Sequence, residues 1–192
     1  SISNNGFMHE GKTSTLLGLK GIPAIAEEIM VDRDLSLCKY TNSRLHLSYI
    51  STRNSIKKIK DAKKKGLKVT ADVTVHNLFL TDEAINNFDT RYKVSPPFRT
   101  RKDNAALIKA LKDGTIDIIC TDHSPITTEN KKTAFDNASN GIIGLETAFG
   151  LLGRHVLPHI DLSALIEKIA INPRKILNIK EVTINKGEHA NI

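Results

Sequence analysis

The sequence predicts an α/β fold built on a parallel sheet, and three observations carry that prediction. Apolar strand-like runs alternate with amphipathic helical stretches in the order strand, helix, strand, helix, strand. Connections after the strands are long and polar, whereas the helices stop on Gly66 and Gly114 and lead quickly into the next strand. The third run reaches Cys120 and stops on Thr121-Asp122-His123-Ser124-Pro125, placing an acid and a histidine where the proline bars further extension. Elaborated loops at strand C-terminal ends belong to α/β barrels and to doubly wound sheets alike.

The elements follow in order. The first 20 residues are rich in Gly, Ser, Thr and Asn, lack periodicity and read as a loop. Gly21-Ile22-Pro23 opens a helix to about Tyr40, with Ala26, Ile29, Arg33 and Leu37 along one face. Arg44 to Ile50 reads as a strand, and Ser51-Thr52 is an N-cap signal for a helix over Arg53 to Lys65 with Ile56, Ile59 and Ala62 inward. Leu67 to Val73 is the next strand, and a polar connection, Thr74 to Ser95, runs up to Pro96-Pro97. Lys102 to Lys112 is a helix that turns Leu107, Ile108 and Leu111 inward. Beyond the third strand come a polar loop, Thr127 to Asn140, and a helix over Gly141 to Val156. Asp161 caps a helix over Leu162 to Ala170, and Asn172-Pro173 starts a short one. Val182 begins a strand-like tail with a Lys186-Gly187 turn.

Composition narrows the classes of function. With 40% hydrophobic and 26% charged residues, the 192-residue chain is ordinary globular protein, and short for a complete (β/α)8 barrel of ~250 residues. The net charge of +7 raises nucleic acid as a partner. The lysines of 57–65 lie on a helix's polar face, however, and aromatics are only 5% with no Trp, so a solvated face is the expectation and nucleic-acid binding is not. No apolar run approaches the ~18 residues of a membrane span. Cys38 and Cys120 lack CxxC spacing, which fits a reduced, cytoplasmic protein.

Asp122 is the strongest candidate for chemistry. A carboxylate at a strand's C-terminal end can bind a metal or take a proton from metal-bound water, and it can equally serve as an N-cap or loop carboxylate. His123 points the other way on an extended backbone, as do His46 and Tyr49 relative to one another. His46 reads as a hydrogen-bonded strand histidine, and His9-Glu10 and His76-Asn77 form no metal-ligand spacing. The residues alone support three βα units with one acid in search of partners.

Several segments taken together resemble the dihydroorotases of the amidohydrolase superfamily. They include Met8-His9-Glu10-Gly11-Lys12, Gly18-Leu19-Lys20-Gly21-Ile22-Pro23, Val69-Thr70-Ala71-Asp72-Val73-Thr74, Pro96-Pro97, Thr121-Asp122-His123 and Gly144-Leu145-Glu146-Thr147, in family order over nearly the whole chain. The resemblance implies a partial (β/α)8 TIM-type barrel made of the last three βα units. Residues 1–180 are then the C-terminal portion of the barrel and 181–192 the truncated start of a flanking small β-domain, so the chain is expected to be a fragment. It also implies pyrimidine biosynthesis, a small cyclic amide as substrate (dihydroorotate, or carbamoyl aspartate in reverse), and zinc. Asp122 takes the role of the family's metal-binding, proton-shuttling aspartate, and Gly141 that of its substrate-side glycine.

The departures are as informative. Tyr49 stands where the family has a metal-binding His, Ser95 where it has a substrate-contacting Asn, and Ile126 where a His holds the substrate carboxylate. Pro-His-His becomes Val75-His76-Asn77, and Ser139-Asn140 replaces the Pro-Phe before Gly141. A phenol with pKa ~10 is a poor substitute for imidazole toward zinc. The expectation is a catalytically degenerate homologue in which zinc is absent or weak. Such a protein is expected to self-associate and to partner aspartate transcarbamoylase. The competing expectation is an active metal-dependent enzyme with atypical ligands.

Overall fold

A computed structural model of the chain describes residue 2 and residues 5–187. Three strands, β3 (Leu45–Leu47), β4 (Val69–Thr74) and β5 (Ile118–Cys120), form a parallel sheet in the order β3-β4-β5. Leu45 pairs with Val69 and Asp72 with Ile118, so successive strands are staggered along a shared C-terminal edge. Helices α3 (Arg53–Lys64) and α4 (Arg101–Lys112) connect them, giving the βαβαβ run of a (β/α)8 barrel wall. Thr52 caps α3 by accepting from the Ser55 amide at 3.3 Å, and Gly66 and Gly114 close α3 and α4 at positive φ (79° and 76°).

The core lies between sheet and helices. Ile59, Ala71, Val73 and Leu107 are all buried there, with Leu111 and Ile116 behind them. Burial of this kind contributes about 25 cal/mol per Å² of apolar surface. At the N-terminal edge of the sheet, Asp117 accepts from the Ala71 amide at 2.8 Å and from Lys63 Nζ at 2.7 Å. Lys58 pairs with Asp32 and Lys60 with Asp113, so much of the lysine-rich face of α3 is engaged in ion pairs.

Several expectations are corrected. The N-terminal stretch is not a loop: β1 (Met8–His9) pairs in parallel with β2 (Gly21–Ile22), and α1 (Lys12–Leu17) joins them. Its glycines permit close backbone approach, since a Cβ on Gly21 would lie 2.5 Å from Glu10 Cα and one on Gly6 2.4 Å from Ile22 Cγ1. Helix α2 (Ala24–Thr41) buries Val31, Leu35 and Cys38, not the Ala26–Leu37 face. Apolar side chains surround this helix, so period alone does not select the inward stripe, and Ile25, Ile29, Met30, Leu37 and Tyr40 remain exposed.

The C-terminal elements also begin later or break. Residues 141–145 do not start a helix: Ile142 bridges His123, and Ser124 donates to the Ile142 carbonyl at 2.9 Å. After a short α5 (Thr128–Lys131), α6 therefore covers only Ala148–His155. The Asp161-capped helix α7 is Leu162–Ile166, followed by a π-helical turn, Glu167–Ile171, and then α8 (Asn172–Ile176). The Asn172 amide donates to the Glu167 carbonyl, the five-residue step that marks the wider turn. Residues 181–185 form no strand, and 188–192 of the expected flanking domain lie outside the described residues.

Candidate functional site

The C-terminal edge of the sheet gathers Tyr49, Asp72, Cys120 and Asp122. Strand β3 ends at Leu47 and β5 at Cys120, and the backbone then turns left-handed at Tyr49 (φ 60°) and at Asp122 (φ 47°). Strand alternation therefore fails to say where either side chain points, and the Tyr49 main chain and the His46 ring share one partner, Asp72. Asp72 Oδ1 accepts from the Tyr49 amide at 2.6 Å, and Asp72 Oδ2 bonds His46 Nε2 at 2.9 Å. His46 Nδ1 meets Thr70 Oγ1 at 2.7 Å, which fixes the ring as a structural histidine. Cys120 Sγ completes the carboxylate's shell at 3.4 Å.

These contacts set the electrostatics. Burial alone would raise the Asp72 pKa, but the bonds from His46, the Tyr49 amide and Cys120 outweigh it and hold the carboxyl below its usual range. Asp122 is pushed up, first by burial and then by the charge of Asp72. Burial and the neighbouring Asp122 likewise raise the Tyr49 phenol, and burial with Asp72 raises the Cys120 thiol. The phenol and the thiol are thus held neutral beside the two carboxyls.

No helix begins near Asp122, since α5 starts at Thr128, so it is a loop carboxylate and not an N-cap. Its nearest basic group is His76 Nε2, 3.7 Å from Oδ2 and beyond hydrogen-bond distance. Burial lowers the His76 pKa to about 4, which leaves the imidazole neutral at pH 7 and the contact short of an ion pair. Nε2 of His76 and both side-chain polar atoms of Asn77 are buried without a hydrogen-bond partner among the described residues. His123 takes a structural role, its Nδ1 accepting from the Gly144 and Leu145 amides at 3.2 Å each.

The remaining sequence-derived positions separate into two pockets. Tyr49, Ser95 and Asn140 line one of about 530 Å³, whose deeper wall is Glu27 and Arg99. Ile126 and Gly141 line another of about 750 Å³, with Phe88, Arg91 and Lys131. The Gly141 amide donates to the Lys93 carbonyl at 3.0 Å, and Ile126 Cγ1 lies 2.6 Å from where a Cβ would stand. A ligand seeking that amide meets a donor already engaged.

A metal centre of the kind the resemblance implies needs several His, Cys, Asp or Glu donors around an open position. Among the described residues no three such side chains converge. Among them Asp122 has His76 Nε2 at 3.7 Å as its one nearby donor atom, Asp72 is committed to three donors, and Tyr49 offers a phenol. These residues do not by themselves fit a zinc site.

Sequence reasoning missed Asp72, Glu27 and Arg99. Asp72 had a signal, a carboxylate inside the apolar run Val69 to Val73. Glu27 and Arg99 are far apart in sequence and meet only when α2 packs against the loop after Pro97.

The profile of the amidohydrolase family matches residues 21–192. The chain is 51% identical over 181 residues to the dihydroorotase of a Thermoanaerobacter species, covering 93% of the chain and 42% of that protein. It is 47% identical over 193 residues to the dihydroorotase of Acetivibrio thermocellus, covering 100% of the chain and 45% of the relative. The chain thus spans less than half the length of these curated relatives. Among solved structures it matches a dihydropyrimidinase from Brevibacillus agri with TM-score 0.81 at 23% identity, over 88% of this chain and 39% of that one. It also matches the inactive dihydroorotase-like domain of a Chaetomium thermophilum CAD-like multifunctional protein, with TM-score 0.60 at 23% identity over 81% and 47%. Likeness at that identity speaks to the fold alone.

Proposed function

This chain belongs to the amidohydrolase family and is dihydroorotase-like, and from that premise we propose that its parent protein is a dihydroorotase homologue that keeps the scaffold without catalysis. The observation that carries this is Tyr49. It occupies the strand-end position where the resemblance calls for a metal-binding histidine, while Asp72 is consumed by hydrogen bonds to His46 and the Tyr49 amide. Ile126 packed on Gly141, and the Gly141 amide bonded to Lys93, support the same reading on the substrate side.

Members of this family are typically metal-dependent, and zinc is the metal proposed for the working enzymes; in this chain it is absent or weakly held. The parent is placed in the cytoplasm, in pyrimidine biosynthesis, self-associating and stabilising aspartate transcarbamoylase. No helix among the described residues is long and apolar enough to cross a membrane.

A second reading, an active enzyme with atypical ligands, draws on Asp122. It lies just past the end of β5, and burial and then the charge of Asp72 raise its pKa above the ordinary carboxylate value, the direction that suits a group exchanging a proton. Metal analysis of the full-length protein, with a carbamoyl-aspartate cyclisation assay, separates the two. Stoichiometric zinc with turnover abolished by Asp122→Asn overturns the first reading. A pull-down that recovers no aspartate transcarbamoylase removes the proposed partner.

A further inference from the structure

Residues 49–52 present four consecutive main-chain amides, and each has a defined acceptor. Tyr49 donates to the Asp72 carboxylate at 2.6 Å and Ile50 to the Asp72 carbonyl at 3.0 Å. Ser51 and Thr52 both donate to Glu27 Oε1 at 3.1 Å, and Thr52 Oγ1 reaches the same oxygen at 3.1 Å. The Ser51 hydroxyl donates to Glu27 Oε2 and accepts from Arg99 Nε at 3.0 Å. Arg99 is only 3% exposed, donates to the Ile22 carbonyl at 2.9 Å, and stands 3.2 Å from His9 Nδ1. Two carboxylates therefore grip the backbone on either side of Ile50, and one is itself held by a buried guanidinium. Within this grip Tyr49 adopts φ 60°, a conformation that costs an L-residue with a bulky side chain free energy and persists only where its surroundings enforce it.

We propose that Asp72 and Glu27 are positioning residues that hold residue 49 left-handed and project its side chain into the pocket shared with Ser95 and Asn140, whatever that side chain is. The grip acts on main-chain amides, so it does not depend on the phenol. It explains how a tyrosine occupies a strand-end position without disturbing the turn into α3: the backbone is fixed from both sides and the residue is 41% exposed. The inference rests on the reading of that pocket as the family's site only for its relevance to function. The grip is tested independently of metal and turnover.

The test is amide hydrogen exchange on the full-length protein without substitutions, joined to ¹⁹F spectra of 3-fluorotyrosine, in which the Tyr40, Tyr49 and Tyr92 signals are assigned by single Tyr→Phe variants. The amides of Tyr49, Ser51 and Thr52 are expected to exchange more than about 100-fold slower than those of 181–185, which form no helix or strand. Asp72→Ala and Glu27→Ala are expected to shift or split the Tyr49 resonance while that of Tyr40 holds. Asp72→Asn and Glu27→Gln, which keep one acceptor oxygen, restore part of the original signal. Fast exchange at Tyr49, Ser51 and Thr52 in the unmodified protein overturns the proposal even if the alanine variants fail to fold. An unchanged Tyr49 resonance in folded alanine variants overturns it equally.

Discussion

Asp72 accepts the main-chain amide of Tyr49 at 2.6 Å, so the buried carboxylate of one strand fixes the backbone just past the end of its neighbour. On the proposed reading, residue 49 stands at the strand end where the resemblance implies a metal ligand, and Asp72 is the group that holds its main chain. The main chain around the site is thus held in place by contacts that do not involve the phenol.

That left-handed conformation predicts an unusual substitution order. Tyr49→Gly is expected to be more stable than Tyr49→Ala by roughly 1 kcal/mol, because glycine adopts positive φ without the Cβ clash. Urea denaturation of the two full-length variants measures the difference, and equal stability counts against a left-handed residue 49.

Gly141 predicts the same preference for glycine, enforced here by space as well as by backbone. Its φ of 145° and the contacts a Cβ would make at 2.6 Å with Ile126 Cγ1 and the Ser124 carbonyl leave no room for a side chain. Gly141→Ala is expected to destabilise by about 2 kcal/mol or more. Adding Ile126→Ala recovers only part of this, because the Ser124 oxygen is main chain. Thermal unfolding of both variants checks the pair.

His76 predicts an acid-side loss of stability. Its folded pKa is depressed to about 4 by burial, so the unfolded state takes up a proton first as pH falls below 6.5. Stability is complete above 6.5, falls through the interval and levels off below about 4. The full effect is roughly 3 kcal/mol at 1.36 kcal/mol per unit. Asp122 opposes it, because burial and Asp72 raise its folded pKa, so the fold gains from protonating it. The difference in denaturation free energy between wild type and His76→Leu isolates the histidine, and a difference independent of pH contradicts this account.

The exposed apolar side of α2 predicts association. Ile25, Ile29, Met30, Leu37 and Tyr40 are 45–90% exposed along one helix, more than scattered surface residues account for. The isolated 192-residue chain is expected to sediment as an assembly, and a monomer at micromolar concentration contradicts that.

The βαβαβ core was legible because periodicity, caps and glycine stops agreed from Ser51 to Cys120. The N-terminal sheet was not, because the composition that permits Gly21 to approach Glu10 also reads as loop. The inward face of α2 was hidden by apolar residues on all sides. In the site, Asp122 could be found from its place after an apolar run, and Tyr49, Ser95 and Ile126 came into view only through the resemblance. Glu27 and Arg99 could not, since their roles arise from tertiary contacts with Ser51 and Thr52.

Zinc binding by the full-length protein tests the central claim most directly, using equilibrium dialysis of wild type, Asp122→Asn and Tyr49→His. The account predicts substoichiometric zinc in wild type, no further loss of consequence in Asp122→Asn, and a gain in Tyr49→His, whose imidazole the same backbone delivers. One zinc per wild-type chain, removed by Asp122→Asn, would contradict it.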